Sequence, residues 1–161
     1  MPRIDKENYY LDIAETVSER STCLRRCYGA IIVKSDEVIA TGYNGAPRGR
    51  ANCADLNRCT RMEMNIPSGQ RYELCRSVHA EANCIISASR NEMLGATLYM
   101  ACRDPETGKL IPGSTSCSMC RRQIINAGIE KVVIRDTPTD YRVVDVQKEW
   151  IDDDDSLPCS C

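Results

Sequence analysis

His79-Ala80-Glu81 opens the stretch that decides the fold; Thr97-Leu98-Tyr99-Met100-Ala101, Cys117-Ser118-Met119-Cys120 and Lys131-Val132-Val133-Ile134-Arg135 complete it. From His79 onward Ala82, Ile85, Ile86 and Ser89 recur at the spacing of one helix face, which predicts a helix over residues 79–89. The runs at 97–101 and 131–135 are short, apolar and bounded by irregular sequence, so both read as strands. Between them a helix is expected from near Cys117 to Gly128, where glycine supplies a C-terminal stop.

Upstream, Tyr10, Ile13, Ala14 and Val17 mark a helix over about 5–18 with Asp5 as N-cap. Two β runs follow at 29–34 and 37–41, and Ser35-Asp36 between them signals a hairpin turn. Downstream, residues 141–145 have the aromatic and β-branched content of a fifth strand. Hairpin, helix, strand, helix, strand predicts an α/β domain with a mixed, roughly five-stranded sheet flanked by helices. At 161 residues without internal repeats the chain is expected to form a single domain, 1–161, with 152–161 a polar, frayed tail. Residues 45–77 read as one long loop carrying Pro47, Gly49, Pro67 and Gly69, and a loop of that length is usually functional or held by something.

Composition narrows the function classes. The formal net charge of −2 argues against a general nucleic-acid binder, which would present a basic face. No apolar run approaches the ~18 residues of a membrane span, and the N-terminus lacks a secretory signal, so a cytoplasmic location is expected. Eleven cysteines in such a chain point to metal binding rather than a disulfide framework. With one histidine, His79, cysteines must supply most ligands.

His79, Cys117 and Cys120 can fill three corners of a zinc tetrahedron and leave the fourth for water, the mark of a catalytic rather than a structural site. Both motifs fall at predicted helix N-termini, whose partial positive charge favours thiolate and hydroxide. Zinc lowers the pKa of bound water toward about 7. Glu81, two residues from a ligand, is placed to take that water's proton and deliver it to a ring nitrogen and departing ammonia. Read singly, His79 is also compatible with a structural histidine, and Cys117-x-x-Cys120 with a redox dithiol; neither alternative gives Glu81 a role.

His-x-Glu followed by Cys-x-x-Cys resembles the cytidine/deoxycytidylate deaminase superfamily. The stretches 21–26 (Ser-Thr-Cys-Leu-Arg-Arg), Thr41-Gly-Tyr-Asn-Gly-Ala-Pro47, 69–73, Cys75 and Ile125-Asn-Ala-Gly-Ile129 look most like bacterial deoxycytidylate deaminases, over residues 9–135. The resemblance implies a cytidine-deaminase-like three-layer fold, zinc on His79, Cys117 and Cys120, Glu81 as proton shuttle, and Asn44 hydrogen-bonding the sugar or lining the nucleotide pocket. It implies conversion of dCMP to dUMP, with a free nucleoside, another pyrimidine-like ring or a tRNA base as rival substrates. It also implies a homo-oligomer, often a hexamer, that responds to dCTP and dTTP. Two departures stand out. Ser116 replaces the usual proline, which should loosen the loop entering the metal site. Residues 103–114 form an insertion expected beside the pocket, where it would reshape substrate choice.

Some relatives in this family carry a second, structural zinc near these regions, and Cys23, Cys53, Cys59 and Cys75 are the candidates here for a closed site tying the long loop to the first helix. Separate buried thiols are the alternative. Arg25, Arg26 and Arg48 are candidates for the substrate phosphate, since the guanidinium fork suits that group. Tyr28, Tyr72 and Tyr99 are candidates for stacking on a base, with core packing the competing role. Non-catalytic zinc-binding and dithiol redox proteins remain as the readings outside the deaminase class.

Overall fold

The computed structural model describes residues 1–153; the tail expected over 152–161 lies, from residue 154 on, outside the described residues. The chain runs α1 (Lys6–Ser18), β1 (Cys27–Lys34), β2 (Glu37–Tyr43), α2 (Cys53–Leu56), α3 (Thr60–Glu63), a 3-10 turn (Tyr72–Leu74), α4 (Ala80–Ile86), α5 (Arg90–Met93), β3 (Thr97–Arg103), α6 (Ser118–Ala127), β4 (Lys131–Arg135), β5 (Tyr141–Asp145) and a π-helical turn (Gln147–Ile151). The sheet order is β2-β1-β3-β4-β5. β3 and β4 pair in parallel and are joined through α6, while the other neighbouring pairs are antiparallel.

Alternation along the strands divides the core in two. Ile31, Val33, Tyr99 and Val133 face Tyr10, Leu11 and Ala14 of α1. Ala30, Ile32, Leu98, Met100, Val132 and Ile134 face Ala80 and Cys84 of α4 and Ile124 of α6. The result is three layers, with α1 alone on one side and the helices that carry the two motifs together on the other.

Close approach is enforced by Gly42: a Cβ there would stand 2.4 Å from the Ala80 carbonyl oxygen and 2.7 Å from the Cys84 nitrogen. Glycine therefore lets the first turn of α4 lie directly on β2. Asp5 caps α1 as expected, accepting from the Asn8 amide at 2.9 Å. Ser35 and Asp36 both take positive φ, the geometry of a tight two-residue hairpin turn.

Two expectations need correction. The helix predicted over 79–89 ends at Ile86, and Ser89 opens α5 with a capping box to Glu92. Ile86 is consequently 75% exposed rather than buried. The loop 45–77 contains two helical turns and a 3-10 turn, and its ends are tied together: Gly45 and Val78 exchange backbone hydrogen bonds at 3.2 and 2.8 Å. The insertion 103–114 is an ordered excursion in which Asp104 accepts from the Glu106 and Thr107 amides, and Leu110 bridges back to Arg103.

Candidate active site

Two helix starts build the site. His79 is the N-cap of α4 and Cys117 the N-cap of α6, each with extended backbone, so Glu81 and Cys120 fall in the first turns. The shared sheet face brings these ends together. His79 Nδ1 lies 3.4 Å from the sulfurs of both Cys117 and Cys120. Among the described residues this is the one group of three or more such donors whose ligand atoms lie within 4.8 Å of one another. One imidazole nitrogen and two sulfurs with an open fourth direction fit zinc of the catalytic kind.

The three donors also shift one another's protonation. Cys117 is lowered to about 4, chiefly by its hydrogen bond with Cys120, with burial opposing and His79 assisting. Cys120 is pushed up by the same contact and by burial. Burial acts to lower His79, but contacts with Cys117 and Cys75 outweigh it and raise the imidazole to about 10. Glu81 is 4% exposed, and burial is the first cause raising its carboxyl.

Ser116 sits 1% exposed between these groups. Its hydroxyl faces Glu81 and lies 3.5 Å from the Met100 sulfur, and its carbonyl accepts from Arg121 Nε at 3.0 Å. These contacts tie Ser116 to β3 and α6 at the entry to the metal-ligand motif.

A pocket opens over Glu81 and His79, lined also by Arg25, Arg26, Tyr28, Asn44, Arg61 and Tyr72. Asn44 is buried: its Oδ1 accepts from the Tyr28 amide at 2.8 Å and the Ser21 hydroxyl at 2.6 Å. Tyr72 meets His79 edge-on at 4.7 Å. Tyr99 is elsewhere, packed on Tyr10 in the α1 layer. Arg48 is also elsewhere, exposed in a separate cavity with Arg20 and Arg50. The adjoining Thr115 lines the pocket, and residues 103–114 are not among its lining residues. Arg61 was not foreseen; no spacing or charge run marks it, and only the folding of the loop brings it in.

Cys23, Cys53, Cys59 and Cys75 line one cavity, behind the wall formed by Cys23, Arg61 and Cys75. Their sulfurs are not gathered as closely as the His79 group.

A family model describing the cytidine and deoxycytidylate deaminase zinc-binding region matches residues 4–136. The deoxycytidylate deaminase of Mycobacterium phage D29 is 39% identical over 137 residues, covering 83% of this chain and 96% of that protein. The deoxycytidylate deaminase of Schizosaccharomyces pombe is 32% identical over 79% of the chain, which spans only 36% of that longer relative. The crystal structure of the dCMP deaminase of cyanophage S-TIM5 superposes with a TM-score of 0.57 at 26% identity, covering 83% of this chain and 85% of that one. The same phage enzyme has been solved with dCMP and dUMP.

Proposed function

Because the chain belongs to the cytidine and deoxycytidylate deaminase family, we propose that it converts dCMP to dUMP by hydrolytic loss of ammonia. The observation that carries this reading is the buried Glu81 carboxylate set beside the His79, Cys117 and Cys120 donor set on the floor of one pocket. A zinc ion held by those three residues would supply Lewis acidity, making water nucleophilic near neutral pH.

The chain's own groups do the rest. Glu81 accepts a proton from the attacking water and passes it to N3 of the cytosine. The C4–O bond forms in that attack; the proton left on the added hydroxyl then travels by the same carboxylate to the amine, the C4–N bond breaks and C4=O is left. Burial of Glu81 keeps bulk water from competing for that proton. Asn44 retains one free amide hydrogen for the sugar, and Tyr28 and Tyr72 offer ring faces or edges to the base.

The reading takes residues 1–161 as a single deaminase domain in the cytoplasm, without membrane attachment; among the described residues no helix is long and apolar enough to cross a membrane. A homo-oligomer regulated by dCTP and dTTP rests on family resemblance. A second, structural zinc on Cys23, Cys53, Cys59 and Cys75 is supported by their common cavity and requires the four sulfurs to close on the ion.

The test is ammonia release by freshly purified, zinc-loaded protein from dCMP, CMP, deoxycytidine and cytidine, with Glu81→Gln as control. Rapid release from dCMP alone, abolished in the variant, supports the reading. No release from any of the four by protein that retains its zinc overturns the substrate class.

A further inference from the structure

Arg61 is a buried cation with no carboxylate partner among the described residues. It is 5% exposed, in the four-residue α3 among exposed neighbours. Its Nε donates to the Gln70 carbonyl and its Nη2 to the Pro67 carbonyl, both at 3.1 Å, and the guanidinium carbon lies 4.3 Å above the Tyr72 ring. These contacts solvate the cation without neutralising it. Nη1 has no hydrogen-bond partner, and no carboxylate pairs with Arg61, among the described residues. Glu73, whose charge is felt at Arg61, is exposed and bonded to Arg71. A buried charge left in this state is costly unless something else completes it.

The pocket indicates what completes it. Arg25 and Arg26 line the same space, and their guanidinium groups donate to the backbone carbonyls of Ile66 and Arg25 rather than to acids. Three guanidinium groups thus meet one carboxylate, Glu81, around a single cavity. Two ring contacts in series, 4.3 Å from Arg61 to Tyr72 and 4.7 Å from Tyr72 to His79, keep the guanidinium within about 9 Å of the imidazole. That is the order of the span from the exocyclic amine of a pyrimidine nucleotide to its phosphate.

We infer that Arg61 is the phosphate anchor of this pocket, the residue that makes a cytosine nucleoside monophosphate a better ligand than the nucleoside. Its substrate rests on the deamination reading above. Arg61 is held against Tyr72 and the two carbonyls, so the fork is oriented before the ligand arrives and little side-chain entropy is lost on binding. A clamp that only secured the loop through Gln70 and Pro67 would act on nucleotide and nucleoside alike.

The experiment uses the zinc-loaded full chain as wild type, Arg61→Gln and Arg61→Lys. It reads kcat/KM for dCMP and deoxycytidine, and the dissociation constants of dUMP and deoxyuridine by calorimetry. For Arg61→Gln the loss on dCMP is expected to exceed the loss on deoxycytidine by about 10- to 100-fold, mainly through KM. Arg61→Lys, which keeps the charge and loses the fork, should fall between; if the glutamine variant fails to fold, the lysine variant's selective loss on dCMP carries the test. Equal losses on both substrates, or no loss on either, would overturn the inference. Should wild type deaminate neither substrate, the deamination reading fails by itself. The binding arm then decides Arg61: tighter dUMP than deoxyuridine, lost in the variants, supports it, and equal binding refutes it.

Discussion

Asn44 and Arg26 are joined by a 2.8 Å hydrogen bond from the Asn44 side-chain amide to the Arg26 carbonyl. With the two bonds accepted by its Oδ1, Asn44 commits three of its four hydrogen-bonding positions to the chain itself. Asn44 is thus first a stitch between the end of β2 and the entry to β1. Asn44→Ala should destabilise the fold by about 2–3 kcal/mol through the buried groups it orphans, and raise KM as well. Denaturant midpoints and dCMP kinetics check this; an alanine variant as stable as the parent would refute the structural half.

Glu81→Gln should lower kcat by about 10²- to 10⁴-fold while zinc content stays the same. The amide keeps the shape of the carboxylate and cannot carry the proton. Metal analysis beside steady-state rates separates this from loss of the metal, which would show as zinc missing from the variant.

Gly42→Ala should push α4 off the sheet, because the new methyl would meet backbone atoms of Ala80 and Cys84 rather than movable side-chain ends. A cost of about 1–3 kcal/mol is expected from such overpacking. Since His79 caps that helix, zinc should also be stripped faster by a chelator. Unchanged melting temperature and unchanged zinc release would contradict the close contact.

Asp136 holds the far end of the insertion. Arg142 bonds to it first, burial opposes, and the Gly113 amide donates at 2.8 Å, so its carboxyl lies below the ordinary range. A group depressed in the folded state contributes stability above its unfolded pKa of about 3.9 and loses it as pH falls through the lower folded value. Unfolding free energy measured against pH should therefore fall below about pH 4 in wild type, and less steeply in Asp136→Asn. The variant should also be cut sooner by protease within residues 103–114.

The proposed four-cysteine zinc predicts close to two equivalents of zinc per chain, dropping to one in Cys59→Ser with the His79 site still filled. A single equivalent in active wild-type protein would remove that site from the picture.

The sheet was legible because its strands alternate cleanly: Ile31 and Val33 point one way, Ala30 and Ile32 the other, and the same holds along residues 131–135. Both ligand motifs were legible because metal chemistry demands particular residue types at short spacing. The phase of α4 was not, since Ala82, Ile85, Ile86 and Ser89 suit a longer helix than the one formed; the Ser89 to Glu92 capping box was the overlooked signal that a new helix begins. The contacts of Ser116 with Met100 and Arg121 were not legible, because neither partner stands at a spacing that marks it. Arg61 was invisible because its burial depends on carbonyls at Pro67 and Gln70 and a ring at Tyr72, none of which sets a period with it.

The paired backbone bonds between Gly45 and Val78 make residues 46–77 a cassette closed at its neck, fastened further in by Thr22 to Asn52 and Ala54 and by Arg25 to Ile66. The chain leaves the frame and rejoins it at that gate, so extra length within the excursion carries an entropy cost that grows only with the logarithm of its size. Catalytic groups on α4 and α6 stay outside the gate, while Arg61 and Tyr72 travel with the cassette. Exchange of that segment between relatives is thus a route by which ligand preference can change in one step, with the reaction left standing.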